Sequence, residues 1–511
     1  MSHTYIRARL LPYLAVWALT LASLSLVSAQ TDSAQRLRIA SGGEAISLDP
    51  RVVNDVPSLE RAYTMLEPLI AFDRTMSLVP RLAESWEFSD DGLQLTFRLR
   101  PGVMFHHGRE LEAADVAYTY LWVLDEDNDS PHRAMFTSIA SIDTPDPLTV
   151  VFQLSDNNAF ILNNVARLPI VPADLGDDED FAQAPIGTGP FRFSSWTRDD
   201  RLLLEAFPDY WGGAPELAAL EFRPIPESAT RLLALEGGQI DIFQGAVPAE
   251  DLPRLEQDDS LSLQRVSGLG YNYLAFNMRR EPLDNVLVRQ AISHLLDREA
   301  IVARVFGGVG EPGISMIAPQ LPWFNEEVIG FPYDPERAAE LIAQAGIDPS
   351  EVSIGLHSNE NTQRVQILEI LAFELERLGF NANILIEETG ALFDRLDALD
   401  FDIYLFNWTG QIDPDQAMFR QFHSQGPIND SGYANPEVDA LLEQGRITPP
   451  DSEESIAIYR ELQRIIVNDV PYAFINYTEV VAVHQNQVQN WEIHPYGPAA
   501  FQDAHLISLA P

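Results

Sequence analysis

The stretch VSIGLHSNENTQRVQILEILAFELERLGFNANILIEE, Val352 to Glu388, decides the fold class. Its first seven residues have the apolar content of a buried strand. The segment from Thr362 to Leu378 has the spacing of an amphipathic helix, which Gly379 ends. The residues NANILIEE then predict a second strand. Strand, helix and strand in this order form a parallel βαβ unit, so we expect an α/β protein.

Helix signals flank this unit on both sides. Asp334-Pro335-Glu336 supplies an N-cap, a proline at the first helical position and an acid in the first turn, and Gly346 ends the helix. Asn435-Pro436 predicts the start of another helix, and residues 454–467 predict one more.

The first half of the chain is richer in strands. Leu93 to Arg100 and Leu148 to Leu154 alternate apolar and polar residues, which is the period of a half-buried strand. A helix is predicted over Ala113 to Leu124. Because there is no internal repeat and no low-complexity linker, two α/β lobes are expected rather than a string of small domains.

The N-terminus has the features of a secretory signal. Arg7 and Arg9 precede an apolar stretch, and Val27-Ser28-Ala29 is a small-residue cleavage site, so cleavage is expected after Ala29. The alternative is an uncleaved membrane anchor. The chain has no cysteine, which excludes disulfides and a lipid-anchored cysteine. A periplasmic location is therefore expected for the exported protein.

The charge is strongly negative. There are 33 basic and 76 acidic residues, a net charge of −43, and every basic residue is an arginine because the sequence lacks lysine. Such a surface repels nucleic acids and anionic lipids, so neither is expected as a partner. Self-repulsion at this charge predicts a protein that needs salt for full stability. An apolar fraction of 46% predicts a folded chain despite the charge.

No catalytic, metal or cofactor motif stands out. Without lysine there is no phosphate-binding P-loop, and HExxH and GxSxG are absent. Adjacent His106 and His107 point to opposite faces of an extended segment. The run 125–129 lacks the glycine and glutamate of a calcium loop, and 187–189 lacks the third glycine of a dinucleotide fingerprint. No metal, cofactor or catalytic residue is therefore predicted.

Ordered blocks of sequence resemble the extracytoplasmic solute-binding proteins of the oligopeptide/dipeptide/nickel class, family 5, which are the receptors of ABC importers. The first block is LVPRLAESWEFSDDGLQLTFRLRPGVMFHHGRELEAADVAYTY, with His107 where the family usually has Asp. Further blocks cover most of the remaining chain: PIGTGPFRFSSW (185–196), FPDYWGGAPEL (207–217), RLLALEGGQIDI (231–242), YLAFNMRREPLDNVLVRQAISHLLDREAIV (273–302), FNWTGQIDPD (406–415) and SGYANPEVDALLEQGR (431–446).

This resemblance implies a two-lobed clamp of the type II periplasmic-binding-protein class. Lobe one would comprise residues 30–270 and 486–511, with an extra subdomain near 50–184, and lobe two would comprise 271–485. Two chain crossings would form the hinge. The hinge residues expected from the resemblance are Tyr271, Tyr273, Val481 and Val483.

The resemblance also predicts where a ligand binds. A strand over 401–406 would deliver Asn407, Trp408 and Thr409 to the inner wall of lobe two. Strand-edge backbone can pair with an extended ligand of any sequence, and the indole offers a flat apolar surface. The alternative is that Trp408 is an ordinary core residue. Asn54 and Val56, which follow Leu48-Asp49-Pro50, are expected at the ligand in lobe one.

Two substitutions bear on the ligand. Peptide receptors of the family bind the α-amine with an aspartate shortly after the Trp, and here Gln411 stands at the aligned position. Asn54 stands where some oligopeptide receptors have an acid. Loss of a charge-assisted hydrogen bond weakens amine binding by about ten- to a hundredfold. Asp413 is an alternative partner for an amine, but its Asp-Pro step disfavours this.

The predicted function is a non-enzymatic, monomeric receptor for a peptide or peptide-like solute, which delivers it to an ABC permease with separate ATPase subunits. Blocked or cyclic peptides, peptide-derived metabolites and oligosaccharides remain open as ligands. An exported receptor that reports a peptide signal to a sensor is the next alternative. A secreted hydrolase that uses one of its acid pairs is the least favoured.

Overall fold

The computed structural model describes residues 35–158, 160–178, 180–245, 247–409, 412–450 and 452–510. The predicted signal peptide, its cleavage site at Ala29 and the predicted ligand residue Gln411 lie outside these residues. Among the helices described, none is both long enough and apolar enough to cross a membrane.

Strands and helices are distributed along the whole described chain. The strands are β1 (Arg36–Ser41), β2 (Ile70–Phe72), β3 (Leu78–Pro80), β4 (Ala83–Phe88), β5 (Gln94–Leu99), β6 (Ile139–Asp146), β7 (Thr149–Leu154), β8 (Phe191–Thr197), β9 (Arg201–Ala206), β10 (Ala219–Pro224), β11 (Ile242–Gln244), β12 (Leu261–Phe276), β13 (Glu311–Pro312), β14 (Ser353–Asn359), β15 (Asn381–Glu387), β16 (Ile403–Trp408), β17 (Tyr472–Gln485), β18 (Val488–Gln489) and β19 (Ser508–Leu509). The helices are α1 (Val56–Met65), α2 (Ala113–Leu124), α3 (Arg133–Phe136), α4 (Ile161–Val165), α5 (Ser228–Glu236), α6 (Leu252–Leu255), α7 (Val286–His294), α8 (Arg298–Arg304), α9 (Pro335–Ala345), α10 (Thr362–Arg377), α11 (Thr389–Asp397), α12 (Pro414–Phe422), α13 (Pro436–Ile447) and α14 (Glu453–Asp469).

One large mixed sheet connects the two halves of the protein. Its strand order is β15-β14-β16-β12-β17-β11-β1-β10-β9-β8, with β13 also paired to β17. We call the part built on β1 and β8–β11 lobe one and the part built on β14–β16 lobe two. The long strands β12 and β17 pair with each other and run through both lobes.

The predicted βαβ unit is confirmed in lobe two. β14 and β15 are parallel, and α10 connects them. The Asn361 side chain caps this helix by accepting a hydrogen bond from the Arg364 backbone N–H at 3.0 Å. Gly379 ends the helix in the left-handed region, at φ +100°. Apolar residues of α7, α9 and α10 pack on this face of the sheet and form the core of lobe two.

Lobe one contains a second parallel unit. β1 lies between β10 and β11 and is parallel to both. The last residues of the described chain return to this lobe, where Trp491 stacks on Phe501 with ring centroids 5.8 Å apart. Both rings belong to the core that covers β1 and β10.

A separate antiparallel sheet, β4-β5-β7-β6, forms the extra subdomain with α2 packed on it. The α2 helix has the predicted bounds. Its Tyr120 ring contacts Phe136 and Phe152, with centroids 5.0 and 4.8 Å apart. At its far end the subdomain reaches lobe two, because the Phe160 ring lies 5.7 Å from that of Tyr459.

The crossing between the lobes lies in the middle of β12 and β17. Their pairing shifts register between Ser267 and Tyr271. Before the shift, β12 faces the end of β17 that pairs with β11 of lobe one. After it, β12 pairs with β16 of lobe two. Of the proposed hinge residues, Tyr271 borders this shift, and Val481 lies two residues from it in β17. Tyr273 lies farther into lobe two and Val483 farther into lobe one.

One predicted strand has different bounds. The sequence predicts a strand over 401–406, whereas β16 spans Ile403–Trp408. The shift arises from pairing with β12, in which Asn272 lies opposite Asn407 and Tyr271 lies opposite Trp408. This partner is distant in sequence and extends the strand beyond the apolar run. Asn407 and Trp408 are therefore the last residues of the strand rather than part of the following loop.

Candidate ligand-binding cleft

A cavity of about 560 Å³ lies beside the crossing strands, between the two lobes. We call it the inter-lobe cavity. Lobe one contributes Gly245, Val247 and Ala249 to its wall. The rest comes from the crossing strands and lobe two: Asn272, Phe306, Val309, Asn361, Gln363, Arg364, Asn407, Asn476, Thr478, Glu479, Val480 and Val481.

Arg364 is positioned by the carboxyl ends of two parallel strands. It lies in the first turn of α10, and its guanidinium donates hydrogen bonds to Asn359 Oδ1, at 2.7 Å, and to Asn407 Oδ1. Asn359 is the last residue of β14, and Asn407 is near the end of β16. The guanidinium also stacks on Phe406, 4.2 Å from the ring centroid. The side chain is thus held across the gap between the two strand ends.

The charge of Arg364 is not paired with an acid in the described part of the chain. Both of its hydrogen-bond acceptors are neutral amide oxygens, and no Asp or Glu described lies within 4.0 Å. Burial lowers the pKa of Arg364 despite the opposing attraction of Tyr273. An arginine nevertheless stays protonated in proteins, so the cavity wall carries a half-buried positive charge.

The acid in the cavity wall is neutralised. Glu479 accepts hydrogen bonds from Arg265 at 2.7 and 3.0 Å, and from the backbone N–H of Gly310 at 3.1 Å. The remaining polar wall is mainly amide, with the Asn272 Nδ2 group donating to Asn476 Oδ1 at 3.0 Å. In a protein of net charge −43, the unbalanced charge of this cavity is positive. The arrangement can hold a carboxylate or another small anion.

Strand-edge backbone is also available next to Arg364. Among described residues, β14 pairs with β16 only at Leu356–Ile403 and His357–Tyr404, whereas β16 continues to Trp408. The two strands therefore separate towards their carboxyl ends, where α/β sheets bind ligands. An extended ligand could pair with this part of β16.

Asn407 and Trp408 do not face the same space. Successive strand residues point to opposite faces, and only Asn407 lines the inter-lobe cavity. Trp408 is half-buried and packs with Phe406 against the core shared by lobe two and the subdomain. Its buried indole Nε1 has no hydrogen-bond partner in the part of the chain described. Thr409 follows the strand and is exposed.

The other sequence-predicted residues are dispersed. Asn54 is exposed, and Val56, the first residue of α1, is 47% exposed. Neither is in the wall of the inter-lobe cavity. Asp413 is buried and lines a different cavity, between the subdomain and lobe two. It accepts a hydrogen bond from the Asp415 backbone N–H at 2.8 Å, at the start of α12.

Sequence reasoning missed Arg364, which carries the charge, and four of the five amides in the wall: Asn272, Asn361, Gln363 and Asn476. A usable signal for Arg364 existed. It follows directly after a strand of the predicted βαβ unit, so the first turn of its helix had to lie at the carboxyl edge of the sheet. Asn272 and Asn476 carry no such signal, because they face each other only through the pairing of β12 with β17.

The adjacent residues His106 and His107 have different surroundings. Burial lowers the pKa of His106 to about 4, and its Nε2 lies 2.9 Å from the Gly189 carbonyl oxygen. His107 instead faces Asp174 at 3.3 Å. Within the described ranges, no group of three or more metal-ligating side chains comes together.

Comparison with known proteins shows which family this chain resembles in sequence and fold. Residues 77–430 match the sequence profile described as bacterial extracellular solute-binding proteins, family 5 Middle. The glutathione-binding protein GsiB of Pectobacterium atrosepticum is 29% identical over 498 residues, which cover 94% of this chain and 96% of that protein. The dipeptide-binding protein of Escherichia coli is 27% identical over 530 residues, which cover 96% of this chain and 98% of that protein. The structure of HbpA2 from Haemophilus parasuis superposes with a TM-score of 0.87 at 25% identity, covering 93% of this chain and all of that one.

Proposed function

Because this chain belongs to the bacterial extracellular solute-binding proteins of family 5, we propose that it captures a peptide or peptide-like solute through a free carboxylate, between its two lobes. The solute would lie in the inter-lobe cavity with its carboxylate on Arg364. Its backbone would pair with the part of β16 that follows Tyr404.

The observation that carries this proposal is the unpaired charge of Arg364. A half-buried guanidinium bound only to Asn359 and Asn407 retains donors for an incoming anion, since arginine has five N–H groups. The positive charge is not offset by Glu479, which Arg265 holds. Because Gln411 replaces the acid that binds the α-amine in peptide receptors of the family, a larger share of the binding energy would come from the carboxylate of the solute.

The named ligands of the relatives fit this chemistry. Glutathione has two carboxylates and a dipeptide has one. The relatives are binding proteins, so we propose that this chain also returns its solute unchanged. An exported protein without a phosphate-binding loop needs separate partners for transport. We infer an ABC permease with its own ATPase subunits, a monomeric receptor, cleavage after Ala29 and a periplasmic location.

Two alternative functions would use the same cleft. The amide-rich wall would also suit the hydroxyl groups of an oligosaccharide. A receptor that reports a peptide to a membrane sensor would bind the same solutes. Genes for permeases and ATPases beside this one favour import, and their absence favours the sensor.

Titration calorimetry with Arg364→Gln tests the proposal. The unmodified protein and the variant are titrated with N-acetyl-Ala-Ala-Ala and with its C-terminal amide. We expect the variant to lose about ten- to a hundredfold in affinity for the free acid, because a charge-assisted hydrogen bond is removed. Binding of the amide should hardly change.

Arg377→Gln is the matched control, because Arg377 lies at the other end of the same helix, outside the cavity wall, with an exposed side chain that pairs with Glu374. Its affinity for both peptides should equal that of the parent. The proposal is wrong if Arg364→Gln weakens acid and amide equally, or if neither peptide binds the parent.

A further inference from the structure

A second cavity, of about 500 Å³, lies between the subdomain and lobe two. We call it the subdomain cavity. One wall belongs to the subdomain: Ala134, Met135, Thr137, Ser138, Asp156, Asn158 and Asn164. The other wall belongs to lobe two: Asp413, Asp415, Phe419, Arg420 and Arg446. Its wall is polar, like that of the inter-lobe cavity. Glu479 of the inter-lobe cavity is paired with Arg265, whereas Asp415 of the subdomain cavity is paired through only one of its oxygens.

Asp415 has one satisfied and one unsatisfied oxygen. The residue is 7% exposed, and its Oδ2 lies 3.2 Å from Arg446 Nε. Its Oδ1 has no hydrogen-bond partner among the residues described. A buried carboxylate oxygen without a donor is costly unless a partner arrives.

The opposite wall holds a second unsatisfied group. Ser138 is 8% exposed, and its Oγ has no hydrogen-bond partner in the described part of the chain. Ser138 lies on the subdomain and Asp415 on lobe two, so the two orphaned atoms come from parts of the protein that meet at this cavity. A ligand with several donors could satisfy both.

Arg446 offsets the charge of Asp415 only in part. Its side chain is 46% exposed, and its guanidinium stacks on Phe419, 4.3 Å from the ring centroid. Burial raises the pKa of Asp415 to about 7 in spite of this arginine. The other charged or titratable groups near this carboxylate are Asp413, Asp156, Arg420 and the Tyr459 hydroxyl.

We propose that the subdomain cavity binds a cationic group of the solute, an ammonium or a guanidinium, through Asp415 and Ser138. This inference rests on the proposed function, because the same solute would place its carboxylate on Arg364. Its ligand would therefore carry an anionic end and a cationic group. Asp415 would compensate for the acid that Gln411 replaces, because it lies four residues farther along the chain and would bind the cation instead.

The length of the connecting chain sets an upper bound on the distance between the two cavity walls that such a solute would contact. Asn407 lines the inter-lobe cavity and Asp413 lines the subdomain cavity, six residues later. Six fully extended residues reach at most about 20 Å. An extended peptide of about six residues would therefore be long enough to reach both cavities.

Titration calorimetry at pH 8 with three peptides tests the inference: Ala-Ala-Ala, N-acetyl-Ala-Ala-Ala and N-acetyl-Ala-Lys-Ala. N-acetyl-Ala-Ala-Ala has no cationic group. Ala-Ala-Ala has an α-ammonium, and N-acetyl-Ala-Lys-Ala has a side-chain ammonium. We expect the parent to prefer one cation-bearing peptide, or both, by about ten- to a hundredfold. Asp415→Asn should abolish that preference and leave the binding of N-acetyl-Ala-Ala-Ala unchanged.

Asp156→Asn is the matched control, since Asp156 is an exposed acid on the wall of the same cavity. It should alter all three affinities by no more than about twofold, because exposed charges interact weakly. If Asp415→Asn fails to fold by circular dichroism, Ser138→Ala replaces it. That variant should weaken binding of the preferred peptide about three- to tenfold.

The outcomes separate the two proposals. If N-acetyl-Ala-Ala-Ala binds through Arg364 but the parent shows no preference for a cation, this inference fails and the proposed function stands. The inference also fails if the preference survives both Asp415→Asn and Ser138→Ala. If none of the three peptides binds, both proposals fall.

Discussion

Among single residues, those close in sequence to a recognisable strand could be predicted as ligand residues. Asn407 was found because it follows a recognisable strand, and the structure places it in the wall of the inter-lobe cavity. Arg364 was missed because 43 residues separate it from Asn407, and only folding brings its guanidinium to that side chain. Trp408 was expected beside Asn407 at the ligand, but it packs against the core instead, because neighbouring strand residues face opposite sides.

Glu60 provides a residue-scale test of the structure in lobe one. It lies on α1, is 2% exposed, and its Oε1 has no partner among the described residues. Burial raises the pKa of Glu60 to about 7, although Arg61 opposes this. The folded state therefore binds this proton more tightly than the unfolded state. The group favours folding most below about pH 4.5, and this contribution is lost as pH rises towards 7.

We expect Glu60→Gln to be more stable than the parent at pH 8 and to lose this advantage towards pH 5. A difference of this size in pKa corresponds to about 3 kcal/mol in the free energy of unfolding. Urea unfolding of both proteins at pH 5 and pH 8 measures it. Glu376→Gln, an exposed position on α10, is the control and should show no such trend. An advantage that is the same at both pH values would contradict the assigned burial.

At the scale of elements, local chemistry made the helices predictable. The α2 helix has the predicted bounds, and its start is fixed by a capping box in which Glu112 and Asp115 exchange hydrogen bonds. The α9 helix begins after Asp334, whose side chain accepts from the Arg337 N–H, and ends at Gly346. Each of these determinants lies within a few residues of the boundary that it sets.

Strand boundaries depended on distant partners. The end of β16 at Trp408 is set by pairing with Tyr271, and no residue near Trp408 indicates it. The same holds for the long strands β12 and β17, whose full length follows from their mutual pairing and from β11 and β16. The apolar run alone therefore located β16 two residues too early.

At the scale of the whole molecule, the α/β class followed from the sequence and the two-lobed clamp from the resemblance. The structure adds a contact that neither predicted. Phe160 of the subdomain packs between Trp323 and Tyr459 of lobe two, with centroids 5.9 and 5.7 Å away. The subdomain thus bridges towards lobe two and encloses the subdomain cavity. Such contacts involve residues some 160 to 300 positions apart, which spacing cannot reveal.

The net charge predicts how the whole molecule responds to salt. Self-repulsion among 76 acidic residues, offset by 33 basic ones, opposes the compact state, and salt screens it. We expect the thermal unfolding midpoint to rise between low salt and molar NaCl. Differential scanning calorimetry over this range measures the change. A midpoint that stays constant or falls would show that repulsion does not limit stability.

We propose that the solute is held between the lobes by its carboxylate. A crystal structure of the protein in complex with a bound tripeptide would show this contact. We expect the terminal carboxylate within about 3 Å of the Arg364 guanidinium, in the cavity that Val247 and Phe306 also line. A peptide bound elsewhere, with Arg364 still bonded only to Asn359 and Asn407, would contradict the claim.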